Sequence, residues 1–253
     1  ELGIDNIARF MSQLGFGSRT GIDLTGEAPG TLPSREWKKK RFNREWFAGE
    51  TVSVSIGQGY NAYTPLQLAS ATATLANDGV MFRPHVVDYV EDVRTKARTP
   101  VEPKPLRNLE WNPEHITVIK RAMVGVNREG TSSAVFAGAP YTSGGKTGTA
   151  QVIAIKQGEK YIESRVAERF RDHALFVAYA PADKPRIALA LIVENAGFGA
   201  KAAAPIARQV FDYYLLGKKD SSIQLEFDAE NDTEPAADAK PGASLGSQAD
   251  NTR

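Results

Sequence analysis

Two apolar segments joined by a very short connection constrain the fold more than any other feature of the sequence. Residues 174–180 and 186–194 both read as strands, and only residues 181–185 lie between them. This connection is too short for the crossover that parallel strands need, so the two strands must form an antiparallel hairpin. A further strand is predicted where residues 144–151 run into the β-branched segment 152–155. We therefore expect an α/β fold built on an antiparallel sheet of at least three strands.

Helical periodicity predicts that helices lie on both faces of this sheet. The clearest helix start is Thr64, because Pro65 suits the first helical position and Gln67 completes a capping box. The last predicted helix is expected on one face of the sheet, and the helices that contain Thr64 and Ile116 on the other. Residues 51–56 alternate in polarity and predict one more strand. The predicted helices are 5–14, capped by Asp5; 64–77; 112–130, with Ile116, Ile119, Met123 and Val126 buried; 131–137; and 202–216, with Ile206, Val210, Phe211 and Tyr214 buried.

Charge is nearly balanced over the chain but is distributed unevenly. The 31 basic and 30 acidic residues leave a formal net charge of +1, which gives no electrostatic reason to expect a nucleic-acid partner. Residues 220–253 contain eight acidic and two basic residues, a net charge of −6, which leaves +7 for residues 1–219. We predict one folded unit over 1–219 and a disordered acidic tail over 220–253.

Other residue types narrow the possible chemistry. There is no cysteine, which excludes thiolate chemistry, and the three histidines are far apart in sequence and are interpreted as structural. The basic run 38–41 is flanked by aromatic residues and could suggest nucleic acid or a membrane surface, but a solvated face with the aromatic rings turned inward is the preferred interpretation. No apolar run approaches the roughly 20 residues that span a bilayer. The chain starts at Glu1 within a helical pattern, so we expect it to be a piece of a longer protein.

The segment 144–151, Gly-Gly-Lys-Thr-Gly-Thr-Ala-Gln, concentrates the groups that could bind a ligand. On a strand, Lys146 and Gly148 would share one face and Thr147 and Thr149 the other, and such an edge can hold a carboxylate. A phosphate-binding loop is disfavoured, because a proline stands where that pattern needs its first glycine and because a strand follows instead of a helix. A solvated edge strand without a ligand is the plainer alternative.

Several short motifs occur in an order that is typical of one family. They are Gly15-Phe16-Gly17, Thr20-Gly21-Ile22-Asp23-Leu24, Ile56-Gly57-Gln58-Gly59-Tyr60, Thr64-Pro65-Leu66-Gln67 and Gly145-Lys146-Thr147-Gly148-Thr149-Ala150-Gln151. In these motifs and in their order, the chain resembles the C-terminal part of the transpeptidase domain of class B penicillin-binding proteins. The resemblance extends from residue 3 to about residue 217. Residues 167–173, Ala-Glu-Arg-Phe-Arg-Asp-His, are similar to the elongation type in particular, the penicillin-binding protein 2 group.

The resemblance implies a serine acyl-transfer enzyme with a serine transpeptidase/β-lactamase-like fold and no cofactor or metal. Of the three motifs of that family, only Lys-Thr-Gly is present in its proper place. The one Ser-x-x-Lys string begins at Ser143 and shares Lys146 with the Lys-Thr-Gly motif, so Ser143 is excluded as the nucleophile. No Ser-x-Asn or Ser-x-Asp triplet occurs. Both missing motifs are expected upstream of Glu1, and the fold is therefore expected to be incomplete.

The resemblance also implies roles for the residues of the retained motif. Lys146, Thr147 and Gly148 are the implied catalytic-site residues, and Lys146, Thr147 and Thr149 are implied to bind substrate. The ammonium group of Lys146 attracts the carboxylate of a peptidoglycan stem peptide ending in D-Ala-D-Ala, and the Thr147 hydroxyl can form a hydrogen bond with it. Gly148 lets the peptide lie antiparallel along the strand. The Thr149 N–H is implied to be one of two oxyanion donors.

Our leading hypothesis is a fragment of a D,D-transpeptidase that cross-links peptidoglycan during cell elongation and is acylated by β-lactams. The fragment alone is expected to be inactive, because it lacks the nucleophile. The family implies anchoring at the periplasmic face of the inner membrane by an N-terminal transmembrane helix, and elongation-complex partners such as a RodA-type glycosyltransferase. The alternatives are a non-catalytic peptidoglycan- or β-lactam-binding module and, less favoured, a nucleotide-binding protein.

Overall fold

The computed structural model describes residues 2–153 and 166–217, and the site is carried by an antiparallel sheet near the end of this range. No helix in the described ranges is long and apolar enough to cross a membrane. The elements are α1 (Gly3–Gln13), α2 (Arg35–Phe42), α3 (Ala48–Ser55), α4 (Pro65–Ala76), β1 (Val80–Phe82), β2 (Tyr89–Glu91), β3 (Arg98–Pro100), β4 (Pro105–Asn108), α5 (Pro113–Arg128), α6 (Ser133–Phe136), β5 (Gly144–Ala150), the 3-10 helix Glu168–Phe170, β6 (His173–Ala180), β7 (Ile187–Val193) and α7 (Gly199–Leu216).

The main sheet has the strand order β5-β6-β7, and both pairs are antiparallel. Strand β5 pairs along its whole length with β6, from Gly144 opposite Tyr179 to Ala150 opposite His173. The predicted β6–β7 hairpin is confirmed, as is the predicted antiparallel sheet of three strands. Two further pairs, β1 with β4 and β2 with β3, form separate two-stranded sheets. Within residues 2–153 and 166–217, β5 has a neighbouring strand on one side only, and its other edge is free of strand pairing.

Helices cover both faces of the main sheet, as the sequence predicts. One face of the sheet packs against α7, and alternate residues of β6 contribute its fully buried side chains. This core contains Ala174, Phe176, Ala178 and Ala180 of β6 with Ala203, Ala204, Ala207 and Phe211 of α7. On the other face α5 passes β5, where the Tyr179 hydroxyl donates to the carbonyl oxygen of Lys120 at 3.5 Å, and α4 packs on β7.

The predicted capping box at the start of α4 is confirmed. The Thr64 hydroxyl accepts from the Gln67 N–H at 3.1 Å, and the Gln67 side-chain oxygen accepts from the Thr64 N–H at 2.9 Å. The Gln67 amide nitrogen also donates to the carbonyl oxygens of Ser18 and Pro29, at 2.7 and 2.8 Å. One buried side chain thus fixes both the helix start and the glycine-rich loop that precedes α2.

The predicted strand over residues 51–56 is wrong, because these residues belong to α3 and to the turn after it. The Glu50 carboxylate accepts from the Phe47 N–H at 2.8 Å and so satisfies one of the free amides at the helix start. It also accepts from the ammonium group of Lys38 at 2.6 Å. These contacts outweigh the weak strand preference of the β-branched residues in this segment.

The basic run 38–41 is not uniformly solvated. Lys38 is only 2% exposed and pairs with Glu50, whereas Lys39, Lys40 and Arg41 are exposed. The expected inward orientation of the aromatic rings also fails in part, since Phe42 and Phe47 are 47% and 65% exposed. The carboxylate of α3 draws one lysine of α2 into the interior, and the remaining positive charges face solvent.

Some predicted core positions and boundaries need correction. Val210 and Tyr214 of α7 are exposed, because α7 meets the sheet through small alanine side chains that allow a closer approach. Ile119 of α5 is also exposed. The residue that precedes α1 is Leu2 and not Asp5, which lies in the first turn and pairs with Arg35 at 3.0 Å.

Strand β5 ends at Ala150, before the predicted extension over residues 152–155. Residues 154 and 155 of that extension lie outside the described residues. Residues 218–253 also lie outside them, so the boundary at 219 and the disordered tail stay predictions.

Candidate functional site

The site predicted from the sequence lies on β5, at the free edge of the main sheet. Lys146 is exposed and stands opposite Val177 of β6, and Thr147 is opposite Phe176. The structure therefore confirms the strand, and Lys146 and Thr149 lie on opposite faces of the sheet. The catalytic and binding roles assigned to these residues stay predictions.

The Lys146 ammonium group is held close to its own strand. It donates to the carbonyl oxygen of Thr147 at 2.6 Å and lies 3.4 Å from the Thr147 hydroxyl oxygen. No carboxylate in residues 2–153 or 166–217 lies within ion-pair distance of it. Its positive charge is thus available to an anionic ligand that approaches the free edge.

A second hydroxyl stands beside Thr147 that sequence reasoning missed. The hydroxyl oxygens of Thr131 and Thr147 are 3.0 Å apart. Thr131 is exposed and lies between α5 and α6, directly after Gly130. The only available sequence signal was that glycine, which marks the end of a predicted helix. If Thr131 donates to Thr147, the single hydroxyl hydrogen of Thr147 is left for a ligand.

A buried polar cluster supports this part of the site. The Asn127 side chain donates to the Ser143 hydroxyl at 2.8 Å and accepts from the Ser132 hydroxyl at 2.7 Å. Ser143 is buried, and its hydroxyl accepts this structural hydrogen bond, in agreement with its exclusion as the nucleophile. Gly145 lies directly above the cluster, where an added Cβ would come within 2.9 Å of the Asn127 side-chain oxygen.

The segment that enters β5 is anchored to α7. The Tyr141 hydroxyl donates to the Asp212 carboxylate at 2.7 Å, and Arg208 donates to the same carboxylate at 2.9 and 3.0 Å. Burial, and then the hydrogen bond to Asp212, raise the pKa of Tyr141 above its usual value. Tyr141 thus stays a neutral hydrogen-bond donor at physiological pH, which keeps the start of β5 tied to the helix.

The outer edge of β5 is also contacted by a distant turn. The side-chain amide of Gln58 donates to the carbonyl oxygen of Thr149 at 2.8 Å. Gly57 and Gly59 have φ angles of +81° and +69°, which confirms the prediction that these glycines serve a tight turn. The contact between Gln58 and Thr149 was not predicted, because it joins residues 91 positions apart.

The described residues offer no obvious place for a metal ion. Residues 2–153 and 166–217 contain no group of three or more His, Cys, Asp or Glu side chains that could hold one. What the arrangement does provide is a cation, two hydroxyl groups and the backbone of a free strand edge. These groups suit a ligand that carries a carboxylate and an extended peptide backbone.

Comparison with known proteins gives matches over most of the chain. A family model described as "Penicillin binding protein transpeptidase domain" matches residues 1–212. The chain is 43% identical to the peptidoglycan D,D-transpeptidase MrdA of Haemophilus influenzae over 85% of its own length, and 39% identical to MrdA of Escherichia coli K12 over 89%. These matches cover 33% and 36% of the relatives, so the chain spans about a third of their length.

Solved structures agree with the sequence matches. Pseudomonas aeruginosa PBP2, in complex with WCK 5153, is 40% identical with a TM-score of 0.71, and the match covers 91% of this chain and 46% of that one. Helicobacter pylori PBP2, in complex with MreC, is 29% identical with a TM-score of 0.68, over 85% of this chain and 36% of that one.

Proposed function

We propose a function on the premise that this chain belongs to the family of penicillin-binding protein transpeptidase domains. The elongation-type resemblance is confirmed, since the relatives are MrdA and PBP2 proteins. We propose that the whole protein is a peptidoglycan D,D-transpeptidase that acts in cell elongation. A serine would attack the penultimate carbonyl of a D-Ala-D-Ala stem peptide and release the terminal D-Ala. The amine of a second stem peptide would then take the acyl group from the serine, and β-lactams would acylate the same serine.

The observation that carries this proposal is the free edge of β5. Lys146 there has no carboxylate partner among the described residues, and the Thr147 hydroxyl lies beside it. The terminal carboxylate of the stem peptide would bind between them by charge-assisted hydrogen bonds. The peptide backbone would then run along β5, with the Thr149 N–H as one donor to the oxyanion.

The nucleophile is proposed to come from a part of the protein outside these 253 residues. The sequence contains no Ser-x-x-Lys string other than the one that begins at Ser143, and Ser143 is buried and bonded to Asn127. The 253-residue chain by itself is therefore expected not to react with β-lactams. Residues 1–253 would supply the carboxylate site and one oxyanion donor, and the remainder would supply the serine and its base.

One of the solved structures supports a proposal about the partners and location of the whole protein. The Helicobacter pylori PBP2 structure was solved in complex with MreC. We infer that the whole protein assembles with membrane proteins of an elongation complex, including a RodA-type glycosyltransferase. We also infer that it works at the periplasmic face of the inner membrane, anchored by an N-terminal transmembrane helix. A pull-down from solubilised membranes, with the 253-residue chain as the comparison, would test these two inferences together.

Labelling with a fluorescent penicillin tests the central proposal. The whole protein is expected to become covalently labelled, and Lys146→Met is expected to lower the second-order labelling rate by roughly tenfold to a hundredfold, the usual effect of losing a charge-assisted hydrogen bond. Lys184→Met is the matched control, because Lys184 is an exposed lysine in the β6–β7 connection. Absence of covalent labelling in the whole protein would favour the alternative, a non-catalytic binding module.

A further inference from the structure

The side chain of Gln58 links a distant turn to the outer edge of the site. We propose that Gln58 is a positioning residue: by holding the Thr149 carbonyl, it fixes the backbone that presents the Thr149 N–H to the reacting carbonyl of the substrate. This inference rests on the proposed function and names a residue outside the Lys-Thr-Gly motif on which that function depends. The contact that carries it is the 2.8 Å hydrogen bond from the Gln58 amide to the Thr149 carbonyl oxygen.

The direction in which Thr149 points follows from the strand geometry. In an antiparallel pair, the N–H and C=O groups of one residue point to the same side, and residues two apart share that side. The carbonyl oxygens of Thr147 and Thr149 accept from the side chains of Lys146 and Gln58, neither of which lies on β6. Both carbonyls therefore point away from β6, and the Thr149 N–H points to the same free edge. Gln58 thus contacts the residue whose amide faces the substrate.

The turn that carries Gln58 is fixed on both sides of this residue. The Gln58 N–H donates to the Ser53 carbonyl oxygen at 3.0 Å, and the Gln58 carbonyl oxygen accepts from the Asn61 side chain at 3.0 Å. The same Asn61 amide donates to the Val54 carbonyl oxygen, which ties the turn to the end of α3. The positive φ angles of the flanking glycines complete the turn. The Gln58 side chain therefore leaves a backbone that is already ordered, so only side-chain freedom is lost when it contacts Thr149.

Strand β5 needs such a support at this position. Thr149 is the second-last residue of the strand, and the chain leaves the sheet after Ala150. In the part of the chain that the structure describes, β6 alone supports this end from within the sheet, where β5 is an edge strand. An oxyanion donor works only when its N–H is already aimed at the developing charge, and a misplacement of about 1 Å can cost roughly a hundredfold in rate.

Three possible roles of Gln58 predict different kinetic results. A positioning residue changes the acylation rate constant k2 and leaves the non-covalent dissociation constant K unchanged, because the oxyanion forms only in the chemical step. A residue that binds the substrate directly raises K. A residue that matters only for folding lowers the fraction of protein that can be labelled, while k2 and K of the labelled fraction stay normal.

The test measures k2 and K on the whole protein, from the dependence of the labelling rate on the concentration of a fluorescent penicillin. Gln58→Met keeps the size of the side chain but removes the donor, and Gln58→Asn keeps the amide but is one methylene too short. Asn77→Leu is the matched control, because Asn77 also donates its side-chain amide to a backbone carbonyl, that of Val80, at 3.2 Å and away from β5.

Both Gln58 variants are expected to lower k2 by about tenfold or more with K unchanged, and Asn77→Leu to leave both constants at the wild-type values. An unchanged k2, a change confined to K, or a loss confined to the labelled fraction would each overturn the inference. Failure of the proposed function itself looks different: the wild-type whole protein would not be labelled at all.

Discussion

Replacing Gly199 by alanine is expected to disturb the site from the opposite side of β5. Gly199 is the first residue of α7, and it lets the helix start lie directly against the backbone of two strands. A Cβ added there would overlap the Leu175 carbonyl oxygen and come within 2.8 Å of the Gly148 carbonyl oxygen. Gly148 is the glycine of the Lys-Thr-Gly motif. The obstructing atoms are backbone atoms, so no side-chain rotation can relieve the contact.

The size of the effect follows from these distances. Ordinary contact begins at 3.4 Å, so α7 or β5 must move by at least about 0.6 Å at Gly148. Overpacking of this kind costs about 1–3 kcal/mol of stability, which corresponds to a fall in melting temperature of about 2–4 °C for each kcal/mol in a domain of this size. A shift of this size in the strand that holds the substrate is also expected to lower the acylation rate, by up to roughly a hundredfold.

Thermal unfolding and fluorescent-penicillin labelling of the whole protein measure both effects. Gly49→Ala is the matched control, because Gly49 also lies in the first turn of a helix, α3, and an added Cβ would meet nothing within 4 Å. That variant is expected to be neutral or slightly stabilising, since alanine favours helix more than glycine does. If Gly199→Ala has the same melting temperature and labelling rate as Gly49→Ala, the close packing of α7 on the motif is not important for stability or reactivity.

Three further predictions concern two other contacts. Thr131→Val is expected to slow labelling by about threefold to tenfold, as for one lost hydrogen bond, and Thr131→Ser to retain the wild-type rate; equal rates in the two variants would exclude a role for the Thr131 hydroxyl. Lys38→Met, which leaves the Glu50 carboxylate without its cation, is expected to cost about 1–3 kcal/mol in thermal unfolding, because the Glu50 side chain is 24% exposed and water can replace part of the lost contact. Burial raises the pKa of Glu50, but the hydrogen bonds from Lys38 and the Phe47 N–H outweigh it and hold the pKa below its ordinary 4.5. The stability that Glu50 contributes should therefore be complete above pH 4.5 and be lost as the pH falls through the folded-state pKa, and a variant such as Glu50→Gln should lack this acid-dependent loss.

The parts of the fold that the sequence predicted correctly are those with local causes. The β6–β7 hairpin follows from the short connection, which was predicted to have five residues and has six in the structure, and the start of α4 follows from the capping box between Thr64 and Gln67. The errors have non-local causes. The start of helix α3 is stabilised by Glu50, which forms an ion pair with Lys38 of another helix, α2. The core face of α7 consists largely of alanines because this helix approaches the sheet closely. Hydrophobicity alone favoured the larger side chains Val210 and Tyr214, which are exposed.

The same distinction between local and non-local causes applies to the residues of the site. Lys146, Thr147 and Thr149 could be found because they lie within four consecutive positions of one strand. Thr131 and Gln58 could not, because they reach β5 from a connection between helices and from a turn 91 residues away from Thr149. For Thr131 the preceding glycine was the only signal. Gln58 lies in one of the motifs on which the family resemblance rests, but the glycines of that motif indicate a turn without indicating what the turn contacts.

Several elements contact β5 because its backbone must be positioned accurately. This positioning matters more for the site than the chemistry of any single side chain. The groups that this strand offers to a substrate are a backbone N–H, hydroxyl groups and one ammonium group, and each of them acts only if it is correctly aimed. Gln58 holds the free edge, the Thr131 hydroxyl lies against Thr147, and Gly199 brings α7 against Gly148. Since β5 pairs with β6 alone among the described residues, these contacts replace part of the restraint that a second neighbouring strand would give, and they leave the Thr149 N–H on that edge open to a peptide. It follows that substitutions that remove any of these three contacts should change the reaction rate even though none of these residues belongs to the Lys-Thr-Gly motif.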